Sequence, residues 1–122
     1  MPNRPVNTHE RYHAHVYFDE ATEEAARALC MDAWRNCHVG LGRFHRRLVG
    51  PHPRWSCQLT FDADEFDRLI PWLDEHRGGL DILVHPLTED ALEEHTSLAT
   101  WLGEEVALVV DVFKREGDRA GG

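Results

Sequence analysis

Apolar and polar residues alternate with a period of two over residues 12–18, the pattern of a β-strand with one buried face. The apolar face carries Tyr12, Ala14, Val16 and Phe18. The opposite face carries His13, His15 and Tyr17. A strand that buries the first set would therefore present two imidazoles and a phenol in a row on its other face, which makes that face a candidate site.

The same pattern predicts five further elements. Apolar residues recur at helical spacing over residues 20–37, where Asp19 can cap the helix and Ala25 and Trp34 join the apolar stripe. A second helix follows Asp62, which forms a capping box with Glu65, and extends to about residue 76. Alternation predicts strands at residues 41–49, 54–61 and 80–85, the first of which buries Phe44 and Leu48.

The order of elements predicts a ferredoxin-like βαββαβ sandwich of the α+β class with an antiparallel sheet. Its strands lie in the order four, one, three, two, and both helices cover one face. The expected registers align His45 with Gln58, His15 and Leu83; Arg43 with Thr60, His13 and His85; and Arg47 with Ser56, Tyr17 and Asp81. His13, His15, His45 and His85 then all lie on the uncovered face.

The remaining segments divide the chain into an arm, one domain and a tail. We expect residues 1–10 to be a flexible N-terminal arm, residues 11–113 to be a single domain and residues 114–122 to be a disordered tail. Within the domain, the acidic segment 85–96 is predicted to loop or form a helical turn. Residues 97–102 should form another turn, and Val106 to Phe113 an additional C-terminal strand at a sheet edge or subunit contact.

The charge balance narrows the partners. Lys and Arg number 13 against 22 Asp and Glu, so the formal charge of −9 disfavours nucleic acid and anionic membranes. No apolar run approaches the roughly 20 residues of a membrane span, which predicts a soluble, cytoplasmic protein. Cys30, Cys37 and Cys57 lack CxxC spacing and are interpreted as buried, reduced thiols.

The nine histidines point to metal chemistry. His13 and His85 are predicted to be neighbours on adjacent strands, with His15 close by, and three neutral imidazoles suit a divalent first-row metal. The alternative is a polar sheet face whose histidines are solvated or lie in a dimer interface. Asp19, Asp81 and Glu94 are each possible carboxylate partners, and the pattern does not choose between them.

Several segments together resemble the DOPA 4,5-dioxygenase family. They are residues 13–19, Gly50-Pro51-His52-Pro53, Trp72-Leu73, Leu83-Val84-His85-Pro86, and His95-Thr96 followed by Ala99, Trp101, Leu102 and Gly103. The resemblance covers residues 12 to about 111. It implies a non-haem iron(II) extradiol dioxygenase that opens the ring of a catechol-type substrate, DOPA-like or a related aromatic diol, with O2; zinc can occupy such a site in purified protein.

The resemblance and the predicted register together suggest roles for nine residues. His13, His15 and His85 are the expected iron ligands. His95 or His52 could accept a catechol proton, and Tyr17 could donate a hydrogen bond to a bound oxygen or simply pack at an interface. His45, Arg43 and Arg47 are substrate-binding candidates, although basic residues on a strand can also protect a sheet edge.

Two other classes remain open at this point. One is a non-catalytic metal-binding or structural ferredoxin-like dimer, whose polar face forms the interface. The other is a metal-free small-ligand or monooxygenase-like dimer. Such a protein would keep the open sheet face apolar, whereas the side chains predicted on that face are polar. A homodimer is expected in each case, because open sheet faces commonly pair.

Overall fold

The computed structural model describes residues 3–113, and eight regular elements follow one another between residues 11 and 102. They are β1 (Arg11–Phe18), α1 (Glu23–Cys37), β2 (Gly40–His45), β3 (Trp55–Asp62), α2 (Ala63–His76), β4 (Ile82–Pro86), α3 (Ala91–Glu94) and β5 (Thr100–Leu102). The tail predicted at 114–122 lies outside the described residues. No helix within the described part is long and apolar enough to cross a membrane.

The five strands form one sheet in the order β2-β3-β1-β4-β5, with antiparallel neighbours. The alternation in β1 sends Tyr12, Ala14, Val16 and Phe18 into a core shared with α1 and α2. The capping box of Asp62 and Glu65 begins α2 as predicted. The structure thus confirms the ferredoxin-like α+β fold and the presence of a fifth, C-terminal strand, which lies beside β4 at other residues than those predicted.

The registers of the central strands agree with the prediction. His13 lies opposite Thr60 on β3 and His85 on β4, and His15 lies opposite Gln58 and Leu83. Because side chains alternate strictly along a strand, these pairings place the histidines on the face opposite the helices.

The predicted register of β2 is wrong by two residues, because His45 pairs with Ser56 rather than with Gln58. An irregularity between Leu41 and Phe44 shifts the pairing. A Cβ atom at Gly42 would lie 2.9 Å from the Gln58 carbonyl oxygen, so the strands approach too closely there for a larger residue.

This register shift also changes where Arg43 and Arg47 lie. The strand stops at His45, so Arg47 lies beyond it and does not align with Tyr17, while Arg43 falls within the irregularity and not opposite Thr60. Leu48, predicted to be buried, is exposed.

Helix α1 begins three residues later than predicted. The Asp19 carboxylate accepts hydrogen bonds from the Thr22 backbone N–H and hydroxyl at 2.9 Å, and this turn precedes the helix. Ala25 and Trp34, predicted to lie on the apolar stripe, are exposed. The stripe is therefore narrower than the sequence pattern indicates.

The C-terminal strand is Thr100–Leu102, so the turn predicted at 97–102 is limited to residues 97–98, and the strand predicted at 106–113 is wrong. Gly103, with φ of +90°, turns the chain away from the sheet after β5. Residues 104–110, which we call the strap, then cross the face that was expected to be open. Val106 and Leu108 pack against the buried cluster of Tyr17, Leu83, Ala99 and Trp101.

Two backbone contacts hold the segments at either end of the described chain. The Val109 N–H of the strap donates to the Pro51 carbonyl at 2.8 Å. The Trp101 N–H donates to the Asn3 carbonyl at 2.8 Å, so the segment predicted as a flexible arm runs beside β5.

Candidate metal centre

Three histidines meet where β1 and β4 pair. His13 and His85 are directly opposite each other, and His15 follows two residues along the same face. The Nε2 atoms of His15 and His85 are 3.0 Å apart. One ligand atom from each of His13, His15 and His85 lies within 4.8 Å of the others, so the predicted triad is brought together.

Two further histidines reach the same place from loops. The turn after β2 carries His52, whose ring centroid is 4.1 Å from that of His15. The residue that ends α3, His95, has its ring centroid 4.4 Å from that of His85. His52 and His95 form a second possible ligand group with His15, and His95 forms a third with His85 and Glu94.

Backbone carbonyls orient two of these rings. Nδ1 of His85 lies 2.9 Å from the Pro86 oxygen, and Nδ1 of His95 lies 2.7 Å from the Ala91 oxygen. A carbonyl oxygen can only accept, so each Nδ1 carries the hydrogen and each neutral ring keeps a lone pair on Nε2. Metal-binding histidines in proteins are commonly oriented in this way.

The spacing of the nitrogens fits a bound cation. Two ligands in adjacent positions at about 2.1 Å from an ion are separated by about 3 Å. The His15 and His85 Nε2 atoms have this separation. The donor set is rich in imidazole with one carboxylate nearby, which suits zinc, iron or another first-row divalent metal.

Burial keeps the histidines neutral, the form that binds metal. Desolvation lowers the pKa of His15 far below its ordinary value, and the neighbouring imidazoles lower it further. The same causes lower the pKa of His52 to about 4, while desolvation lowers that of His85 to about 3. The pKa of His13 is also lowered by burial, against the opposing effect of the Glu94 charge.

Glu94 is the carboxylate that the structure places at the cluster. Its Oε2 accepts hydrogen bonds from the Thr88 backbone N–H at 2.8 Å and the Thr88 hydroxyl at 3.0 Å. Its Oε1 lies 3.6 Å from His85 Nδ1. Because His85 is neutral near pH 7, this contact is not an ion pair.

The other two carboxylate candidates serve local structure. Asp19 holds the turn before α1. Asp81 pairs with Arg54 at 3.1 Å and accepts from the Glu104 N–H at 2.9 Å.

Tyr17 touches the cluster through His52. Its hydroxyl oxygen lies 2.7 Å from His52 Nδ1, and both side chains are buried. Burial raises the pKa of Tyr17, so its hydroxyl stays protonated at all ordinary pH values.

A contact with Gln58 occupies one ring nitrogen of His13. The Gln58 amide nitrogen lies 3.3 Å from His13 Nε2, and since an amide nitrogen only donates, this contact uses the lone pair that a metal would need. A bound ion would therefore displace Gln58 from His13 or use the other ring nitrogen.

The three predicted substrate-binding residues lie on or beyond edge strand β2. His45 is half-buried, and a charge on it opposes protonation of His52. Arg43 and Arg47 are exposed. The structure brings His45 towards the cluster and leaves both arginines outside it.

Two cavities lie near the sheet. One of about 510 Å³ is bounded by His95, Trp101 and the strap. The other, of about 290 Å³, lies around Tyr12 and the N-terminal segment, and none of the five clustered histidines lines it.

Glu94 was one of three carboxylates that the sequence pattern could not rank, and Trp101 was named only as part of the family motif, with no role at the site. The one available signal for Glu94 was its position directly before His95 in an acidic segment. The indole nitrogen of Trp101 is buried and lacks a hydrogen-bond partner among residues 3–113, and no periodicity could have shown that.

Fold and site define a small α+β protein whose histidine-rich sheet face can bind a metal ion. The chain belongs to the Dopa 4,5-dioxygenase family, whose model matches residues 12–112. This match confirms the resemblance noted from the sequence motifs.

Individual relatives agree with the family. The chain is 32% identical over 108 residues to a DOPA 4,5-dioxygenase of Amanita muscaria, with 81% of this chain and 47% of the relative covered. It is 31% identical over 117 residues to an uncharacterised 21.2 kDa protein of Botryotinia fuckeliana, covering 85% and 63%. The chain thus spans between about half and just under two thirds of these curated relatives.

A solved structure shares the fold. The crystal structure of a candidate dioxygenase from Nostoc punctiforme superposes with a TM-score of 0.83 at 41% identity, covering 88% of this chain and 92% of that one.

Proposed function

We propose that this protein is a non-haem iron(II) extradiol dioxygenase that opens the ring of a catechol-type substrate with O2. The observation that carries the proposal is the pair of Nε2 atoms of His15 and His85, 3.0 Å apart within a cluster of five imidazoles and one carboxylate. Membership of the family supports the oxygen chemistry.

His13, His15 and His85 are the proposed ligands, because their ligand atoms lie within 4.8 Å of one another. Iron(II) bound there would supply a redox-active centre able to bind both diol oxygens and O2. The same imidazoles would also accept zinc in purified protein.

Proton transfer from the diol is assigned to His95 before His52. The Nδ1–H of His95 is held by the Ala91 carbonyl, which leaves Nε2 free to accept a proton. A general base works best when its pKa lies near the working pH, and burial lowers the pKa of His52 to about 4, which makes it a weak proton acceptor.

Tyr17 and His52 act as a pair in this proposal. The Tyr17 oxygen, 2.7 Å from His52 Nδ1, can accept the Nδ1–H and so fix the ring, which leaves the phenol hydrogen free to be donated to a substrate or product oxygen. His45, Arg43 and Arg47 would meet an acidic substituent only if it extended towards β2.

A homodimer, a cytoplasmic location and the lack of nucleic-acid or membrane partners remain predictions. Because Val106 and Leu108 of the strap cover part of the face expected to pair, a dimer would use the rest of it.

Anaerobic iron reconstitution followed by a panel of catechols tests the function. We expect one iron per chain, oxygen uptake and a yellow ring-fission product that depend on both iron and catechol. Stoichiometric metal without turnover of any catechol would instead support a non-catalytic metal-binding protein. Absence of metal would support the structural dimer.

A further inference from the structure

The cavity of about 510 Å³ adjoins the metal centre, because His95 lines it and also belongs to two of the possible ligand groups. The register places Trp101 opposite Leu83, on the same face as His15. The volume falls within the range of about 300–1,000 Å³ that is usual for small-molecule pockets. A ligand held at the histidines could therefore extend into this space.

The cavity wall is mostly apolar. Ala99 and Trp101 form its floor, and Val106 and Leu108 of the strap form its side. Glu105 is the only lining residue, among the residues described, that carries a full charge at neutral pH apart from any charge on His95. An apolar group is favoured here, and a carboxylate is not, since no arginine or lysine among residues 3–113 lines the wall.

Trp101 gives a second, independent indication of a ligand. The residue is 1% exposed, and its indole nitrogen has no hydrogen-bond partner among residues 3–113. Leaving a buried donor unpaired is unfavourable, and a ligand oxygen that the indole N–H reached on binding would remove that cost.

We propose that this cavity receives the ring substituent of the diol, a proposal that rests on the function proposed above. The cavity selects catechols with an apolar, uncharged or cationic substituent over catechols that carry a ring carboxylate. The assignment opposes recognition by Arg43 and Arg47. Those residues lie on or beyond β2, at the other edge of the sheet from β5.

NMR of the ¹⁵N-labelled full chain measures binding without turnover, through the indole N–H signals of the tryptophans. Spectra are recorded with and without zinc under anaerobic conditions. Trp101→Phe assigns the Trp101 signal. Ethylcatechol should shift that signal saturably, while protocatechuate, a ring carboxylate, should bind at least about tenfold more weakly. The signals of Trp34 and Trp72, which lie on the helices, should not move. No Trp101 shift with ethylcatechol, or tighter binding of protocatechuate, would overturn the proposal.

Two lysine variants on the strap provide a matched pair. Leu108→Lys places a cation in the cavity wall and should reduce the ethylcatechol-to-protocatechuate affinity ratio at least about tenfold. Val109→Lys adds the same charge at an exposed neighbour that does not line the cavity and should leave the ratio unchanged. Leu108→Ala adds no charge and should weaken the binding of ethylcatechol alone. This variant tests the cavity wall if the lysine variant does not fold.

The outcomes separate this proposal from the proposed function. A shift of the Trp101 signal without ring cleavage by iron-loaded protein would support the pocket and contradict the dioxygenase function. Ring cleavage without a shift of the Trp101 signal would support the dioxygenase function and contradict the pocket. A protocatechuate preference that Arg43→Ala or Arg47→Ala abolishes would also overturn the pocket assignment.

Discussion

His15 and His85, separated by 70 positions in sequence, direct their Nε2 atoms at each other across the β1–β4 pair at 3.0 Å. Two neutral imidazoles can share one hydrogen in this arrangement, and because the Pro86 carbonyl holds the hydrogen of His85 on Nδ1, the shared hydrogen belongs to His15 and is lost when both Nε2 atoms bind a cation. The Nε2 lone pair of His85 therefore faces His15 and can bind a cation.

His15→Ala and His85→Ala should each abolish stoichiometric metal binding and leave the fold intact. Each removes one of two nitrogens placed as adjacent ligands. Metal content after anaerobic iron loading, with circular dichroism as the fold measurement, checks this. His76→Ala, at an exposed histidine on α2, should retain full metal. Full metal content in both test variants would make the ligand assignment wrong.

His95→Ala should lower turnover by about 10²–10⁴-fold, the usual contribution of a general base, while iron stays bound. Steady-state kinetics and metal analysis on the same sample measure both quantities. Loss of iron would instead make His95 a ligand, in keeping with its place in two of the ligand groups.

Glu94→Gln should weaken metal affinity by about 10–100-fold, since carboxylates that support ligating histidines commonly contribute that much. The amide keeps the shape but lacks the negative charge, which lies near His85 and His13. Thr88→Val, which removes one of the two hydrogen bonds to Oε2, should give a smaller loss. Competitive chelator titration measures the affinities, and equal values for wild type and Glu94→Gln would show that the carboxylate does not act on the metal.

The metal-free protein should lose stability as the pH falls below about 6.5. The folded pKa values of about 4 for His52 and about 3 for His85 lie below the unfolded value of 6.5. The unfolded chain therefore binds more protons in that window, so the stabilisation is present above pH 6.5 and is lost towards pH 4. His52 alone corresponds to about 3 kcal/mol.

Urea unfolding at several pH values in the presence of a chelator measures the slope of the free energy of unfolding against pH. His52→Gln should flatten it, whereas His76→Gln, on the surface, should not. An unchanged slope in His52→Gln would mean that His52 is not held neutral by burial.

Gly103→Ala should lower the free energy of unfolding by about 1–3 kcal/mol. Gly103 has φ of +90°, and a Cβ atom there would lie 2.6 Å from Asp81 Oδ1. Gly79→Ala is the matched control, because a Cβ atom there meets nothing within 4 Å. Equal stability of the two variants, measured by denaturant titration, would show that the turn into the strap is not constrained.

Local patterns predicted the centre of the sheet because its determinants are local. Alternation fixes which residues of β1 face the helices, and antiparallel pairing then brings His13 to His85. The register of β2 could not be predicted, since it depends on the close approach of Gly42 to Gln58, a contact between strands.

The strap also lies where the local sequence pattern could not predict it, because its position depends on contacts with distant residues. Val106 and Leu108 alternate as they would in a strand, yet Gly103 directs them over the site face, where they pack on Trp101 and Tyr17. A period of two indicates one apolar side and does not say whether that side meets a sheet edge or a sheet face. Likewise, Glu94 could be selected from three carboxylates only after α3 had placed it beside His85.

Isotope incorporation tests the central claim most directly. Iron-loaded protein supplied with ¹⁸O₂ and a catechol should give a ring-opened product whose mass equals the catechol plus one O2, with label in the new carboxylate. A quinone product without label, or no product from iron-loaded protein, would contradict the assignment of this histidine cluster as a ring-cleaving dioxygenase centre.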